Sequence, residues 1–135
     1  MENWFELIHI QPFKDKRGSL KKMLMISQLR EDEKIEEVYV LFSNQGSVRG
    51  NHYHKKTLEY FSVISGKAKV ALKNLDTCAF EEIIMSASSD VILRVPPNVV
   101  HAFKNEEEEP FIMLAISSKE YNKMDTDTFP MEILE

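Results

Sequence analysis

The feature that most constrains this chain is its division into short β-prone runs with a turn signal after nearly every one. Candidate strands, most of them rich in Val, Ile, Leu, Phe and Tyr, occupy residues 5–10, 20–26, 35–42, 51–54, 58–65, 67–72, 81–85, 91–95, 101–105 and 111–117. Between them stand Pro12, Lys16-Arg17-Gly18-Ser19, the 43–46 turn, Ser65-Gly66-Lys67 and Pro96-Pro97. Ser65-Gly66-Lys67 reads as a tight hairpin. Only residues 28–34, which are highly charged, suggest a helical turn or a loop. Many short strands at regular spacing, with almost no helical period, predict an all-β sandwich or barrel. Residues 119–135 are polar, with Tyr121, Phe129 and Met131 spaced through them, and are expected to wrap that body.

At 135 residues the chain is the size of one domain and can bury a core without disulfides. We therefore expect a single domain over 1–135, with its core at about 36–117, an N-terminal strand arm and a C-terminal wrapping tail. Cys78 stands alone, which points to a reducing, cytoplasmic setting. The start lacks a basic region followed by an apolar stretch, so no signal peptide is expected, and no apolar run is long enough to span a membrane. A net charge of -5 argues against non-specific nucleic-acid binding but leaves room for an anionic small ligand held by local arginines. The acidic run from Glu106 to Glu109 reads as a solvated turn.

Three of the four histidines form a pattern. Gly46 is followed by His52-Tyr53-His54, then Glu59 and Gly66; further on come Asp90, Pro96-Pro97-Asn98 and His101. Residues two apart on a strand face the same side, so His52 and His54 face one way and Tyr53 the other. Glu59 returns on the next strand with Phe61 and Val63 on its own face, and His101 belongs to a distant strand. Three imidazoles and a carboxylate suit a divalent transition metal: zinc first, with iron, manganese or nickel as alternatives. His9 has no partner in this pattern. Arg94, between Leu93 and Val95, is expected to be exposed and structural.

These two stretches resemble the two conserved motifs of the cupin superfamily, with Asp90 and Asn98 where glycines are usual. The resemblance implies a double-stranded β-helix, or jelly-roll barrel, with the metal held by His52, His54, Glu59 and His101. The segment Arg49-Gly50-Asn51-His52-Tyr53-His54-Lys55 further resembles nucleotide-sugar cupins. Among these are the sugar 3,4-ketoisomerases and the C-terminal epimerase cupin of bifunctional capsular-polysaccharide enzymes. Lys14 to Leu20 resembles a turn near the N-terminus of ketoisomerases and 3,5-epimerases, and residues 37–42 resemble the ketoisomerase strand that leads into the histidine motif. Ser118-Lys119-Glu120-Tyr121 and Asp125-Thr126-Asp127-Thr128-Phe129 resemble the tail of the capsular cupin. Glu59 favours the metal-dependent branch; the Arg17 turn favours the ketoisomerases.

The resemblance implies an isomerase or epimerase of a nucleotide-linked 4-oxo-6-deoxy sugar in surface-polysaccharide biosynthesis. A ketone at C4 acidifies the C3 proton. Its removal gives an enolate, and reprotonation at C3 or C4 yields an epimer or a shifted ketone. Candidate proton carriers are Tyr39 or Tyr53, with His52 and His54 as the acid–base pair in a metal-free site. Arg17, Arg49 and Lys55 are the candidate diphosphate contacts. A metal-holding sensor and a small dioxygenase are the competing functions. Exposed sheet edges and the apolar Trp4-Phe5 start lead us to expect a homodimer in which the N-terminal strand joins or covers the partner's sheet.

Overall fold

The computed structural model describes residues 3–135. Twelve strands run in chain order: β1 (Glu6–His9), β2 (Phe13–Asp15), β3 (Gly18–Leu20), β4 (Glu37–Ser43), β5 (Val48–Tyr53), β6 (Glu59–Ser65), β7 (Lys67–Asn74), β8 (Phe80–Ser86), β9 (Val91–Val95), β10 (Val99–Lys104), β11 (Phe111–Ser117) and β12 (Phe129–Pro130). Two five-stranded sheets, in the orders β1-β9-β6-β11-β4 and β12-β5-β10-β7-β8, carry the domain; β2 and β3 form a separate hairpin. Every pairing is antiparallel. The predicted all-β jelly roll is present, as a pair of sheets bounded by edge strands rather than a ring of unbroken hydrogen bonds. No helix among the described residues is long and apolar enough to cross a membrane.

Alternation explains the core. Inward residues of both sheets, including Phe61, Val63, Val70, Leu72, Leu93, Phe103, Phe111 and Met113, form one buried cluster. Phe61 and Phe103 meet with ring centroids 4.8 Å apart. Truncating either ring to alanine should cost about 3–5 kcal/mol. Trp4 and Phe5 pack against this same cluster, so the apolar start is used within the chain.

A second cluster, Ile10, Leu58, Tyr60, Ile92 and Ile116, lies on the outer face of the first sheet under Met23, Leu24 and Leu29. This corrects two expectations. Residues 20–26 were expected to be one strand. The ladder instead stops at Leu20, and the chain then lays Met23 and Leu24 over that outer face. Arg94 was expected to be exposed, yet its side chain is only 11% accessible. Its Nη2 donates to Glu33 Oε1 at 2.8 Å, because the covering segment brings Glu33 down onto the sheet. The 28–34 stretch contributes only the end of a 3-10 turn, Ile26–Gln28. The acidic run 106–109 is exposed between β10 and β11.

Candidate active site

Strand β10 is the spine of the site. His101 lies opposite His52 of β5 and Leu72 of β7. Between His101 and Ala102 the β5–β10 register slips, a bulge formed where Gly50 and Asn51 both take positive φ, at 86° and 54°. Gly50 is required there: a Cβ would stand 2.5 Å from the His101 carbonyl oxygen. The bulge puts Arg49, opposite Phe103, on the same face as His52, opposite His101. Asp90 and Asn98, which stand where glycines were expected, have φ of 51° and 65°, so both occupy the left-handed turn conformation. The Asn98 amide donates to the His54 carbonyl at 2.7 Å, tying the turn before β10 to the end of β5.

The four sequence-predicted ligands converge. One ligand atom each from His52, His54, Glu59 and His101 lies within 4.8 Å of the others. His54 Nε2 is 2.6 Å from Glu59 Oε1, and His101 Nε2 is 3.6 Å from the same oxygen. His101 Nδ1 donates to the Val99 carbonyl at 3.1 Å, and His54 Nδ1 donates to the Asp127 carbonyl at 2.7 Å. A carbonyl can only accept, so in both rings the proton sits on Nδ1 and Nε2 faces the centre. Ligand imidazoles are commonly oriented in this way by a carbonyl on the other nitrogen. His101 Nε2 is fully buried with no hydrogen-bond partner among the described residues. An orphaned acceptor beside two more imidazoles and a carboxylate is what a cation would satisfy, so the residues fit a divalent transition metal.

The electrostatics are asymmetric. Burial, then the neighbouring His101 and His54, push His52 down to about 4, so it is neutral at pH 7. Burial also works against charge on His54, but the hydrogen bond and charge of Glu59 and the Asp127 carbonyl outweigh it and raise its pKa. Burial alone would raise Glu59; His101 and His54 overcome that and hold it well below the usual carboxylate range. The Tyr39 hydroxyl donates to Glu59 Oε2 at 2.7 Å. Burial and the Glu59 charge push the phenol above its ordinary value, so it stays neutral.

The cluster opens into a cavity of about 440 Å³. Its walls include Tyr39, His52, His54 and Glu59, together with Lys119, Tyr121 and Asp125 from the C-terminal segment. Among the described residues Lys119 is the only lysine or arginine on these walls. The structure brings none of the expected diphosphate contacts to them. Arg17 is 90% exposed on the β2–β3 hairpin and pairs with Asp15. Arg49 links the sheets by donating to the Phe42 carbonyl at 2.8 Å. Lys55 Nζ lies 4.3 Å above the Phe129 ring. Tyr53 stacks on Phe129 on the other face of β5, whereas Tyr39 reaches the site. Sequence reasoning assigned no role to Asp127 or Lys119; the tail resemblance spanning both was the available signal.

Two facing antiparallel sheets with three histidines and a glutamate converging between them define a cupin. Residues 13–129 match the family described as Polysaccharide biosynthesis C-terminal domain, and the chain belongs to that family. A curated relative, a UDP-2-acetamido-2,6-beta-L-arabino-hexul-4-ose reductase of Pseudomonas aeruginosa, is 27% identical over 91 residues; the match covers 67% of this chain and 24% of the relative. The chain thus spans about a quarter of that protein's length. Among solved structures, a sugar 3,4-ketoisomerase of Thermoanaerobacterium thermosaccharolyticum in complex with TDP is similar with a TM-score of 0.77 at 25% identity, over 93% of this chain and 88% of that one. A dTDP-4-dehydrorhamnose 3,5-epimerase of Bacillus anthracis, with TDP and PPi bound, also gives 0.77, at 20% identity over 87% and 74%.

Proposed function

We propose that this domain is a metal-binding isomerase or epimerase of a nucleotide-linked 4-oxo-6-deoxy sugar, working by C3 proton abstraction in the cytoplasm. The observation that carries this reading is the convergence of His52, His54, Glu59 and His101, the first three of which line a cavity with room for a hexose. The family match and the nucleotide-sugar enzymes that share the fold support it.

His52, His54, Glu59 and His101 would hold a divalent metal, zinc first, which when bound supplies Lewis-acid polarisation of the C4 carbonyl oxygen. Glu59 offers Oε1 to the cluster while Tyr39 holds Oε2, so the phenol fixes the carboxylate's rotation. Tyr39 is neutral and lines the cavity, so it acts through its hydroxyl as a hydrogen-bond donor rather than as a tyrosinate base. Lys119 lines the cavity that the sugar would occupy. Arg17, Arg49 and Lys55 would meet a diphosphate only where the ligand extends beyond the cavity.

A second reading has its own observation. Without a metal, His52 is kept neutral and His54 is biased toward the charged form. Two adjacent imidazoles with pKa values displaced in opposite directions form a ready base and acid. Incubating the protein, metal-free and zinc-loaded, with dTDP-, UDP- and GDP-linked 4-oxo-6-deoxy sugars and identifying products by NMR tests both readings. A C3 epimer or a 3-oxo isomer supports the assignment, and the form that makes it selects between them. Unchanged sugars in every case would return the chain to the sensor or dioxygenase alternatives.

A further inference from the structure

Asp127 lies far along the chain from the histidine motif, yet it touches three of the four residues that separate His54 from Glu59. Its Oδ1 accepts the Lys55 amide at 3.0 Å. Its Oδ2 accepts the Lys56 amide, the Thr57 amide and the Thr57 hydroxyl at 2.9, 2.9 and 2.8 Å. Its own carbonyl accepts His54 Nδ1 at 2.7 Å. The residue is buried, at 6% exposure, and has φ of 47°, the left-handed region that a non-glycine residue adopts at a cost. That backbone twist lets one residue turn its carboxylate to the 55–57 turn and its carbonyl to the His54 ring. The segment is held in place on the far side. Phe129 and Pro130 pair with Tyr53 and His52, and the Asn51 side chain binds the backbone of Ile133 and Leu134.

We propose that Asp127 is the positioning residue of this site. Its carboxylate sets the distance between His54, just past the end of β5, and Glu59 on β6, and its carbonyl fixes the proton of His54 on Nδ1, leaving Nε2 directed at the cluster. The proposal rests on reading the four side chains as a ligand set, but it concerns a part of the chain outside that set. It makes the C-terminal segment a component of the site rather than a wrapping. Deleting the carboxylate would leave the Lys55 and Lys56 amides and the buried Thr57 amide without this acceptor, and the turn would relax with His54 attached to it.

The test is long-range proton–nitrogen NMR of histidine-labelled full-length protein, metal-free and zinc-loaded, with zinc affinity measured by competition against a chelator. In the wild type, the His54 Nδ1 proton should exchange slowly with solvent. Asp127→Asn and Asp127→Ala keep the backbone carbonyl but lose the carboxylate. They should speed that exchange and weaken zinc binding by about 10–100-fold. Val70→Ala, a core variant, should lower Tm without moving either readout. Thr57→Val, which removes one of the four donors, should shift both readouts in the same direction and serves if the Asp127 variants fail to fold. The proposal is overturned if the Asp127 and Thr57 variants keep the slow proton and a zinc affinity within about twofold of wild type. It is overturned equally if the wild-type Nδ1 proton exchanges like that of a free imidazole. If zinc fails to bind at all, the ligand-set reading fails, and the exchange measurement on metal-free protein still decides this proposal.

Discussion

Gly50→Ala offers a clean perturbation of the site's geometry, because two costs can be separated at two glycines. At Gly50 the backbone has φ of 86°, and an added Cβ would stand 2.5 Å from the His101 carbonyl oxygen. That is about 0.9 Å short of the 3.4 Å at which contact becomes ordinary. At Gly46 φ is similar, 81°, but an added Cβ meets nothing within 4 Å. A left-handed non-glycine residue costs roughly 1–2 kcal/mol. Overpacking against backbone that cannot swing aside costs about 1–3 kcal/mol more. Gly46→Ala should therefore lose about 1–2 kcal/mol and Gly50→Ala about 2–5. For a domain of this size that is a Tm difference between the two variants of roughly 3–15 °C. Thermal unfolding of the metal-free variants measures it, and urea unfolding measures the free-energy difference directly. Because the clash is with His101 itself, Gly50→Ala should also weaken zinc binding while Gly46→Ala should not. Equal stabilities, or an unchanged zinc affinity in Gly50→Ala, would refute the claim that this glycine sets the spacing of the two ligand strands.

Zinc uptake by the metal-free protein at mildly acidic pH should release a proton, since a ligand nitrogen must be deprotonated. His54, with its raised pKa, carries that proton, whereas His52 at about 4 and the ionised Glu59 carry none. Calorimetry in buffers of different ionisation enthalpy reads this, and uptake without proton release would contradict the assigned charges. His101→Ala and Glu59→Gln should each reduce metal content measured by elemental analysis, while full occupancy in a His52/His54 double alanine variant would place the metal elsewhere. Lys119→Ala should mainly raise KM and His54→Ala should mainly lower kcat, a split visible in steady-state kinetics. The outer face of β4 exposes Val38, Val40 and Phe42, so we expect a homodimer through that surface. Light scattering should show a dimer that Val40→Lys and Phe42→Glu convert to monomer; a monomeric wild type would contradict this.

The convergence of the candidate ligands was legible because strand alternation is a strict period of two: His52 on β5 and Glu59 on β6 could only point where they do, and His54 follows directly on His52's strand. The turns at Asp90 and Asn98 were legible because few residue types tolerate positive φ. Arg49 could not be placed from sequence, because one bulge residue reverses the face of everything before it, and nothing in Arg49-Gly50-Asn51 announces the slip. Arg94 failed for a different reason. A two-sided reading of the strand left no room for a covering segment that buries the outer face and supplies Glu33. Asp127 was invisible as a functional group because its partners are backbone amides, which have no signature in the sequence, at the far end of a long closure.

The central claim, that this site removes a proton beside a sugar ketone, is tested most directly by isotope exchange. Zinc-loaded protein incubated in D₂O with 4-oxo-6-deoxy nucleotide sugars should place deuterium at C3, measurable by NMR loss of the C3 proton signal even where no net product accumulates. The account predicts exchange with at least one of the dTDP-, UDP- and GDP-linked sugars, and its loss in His54→Ala. Full retention of the C3 proton with all three, in a folded protein that has bound its metal, would contradict it.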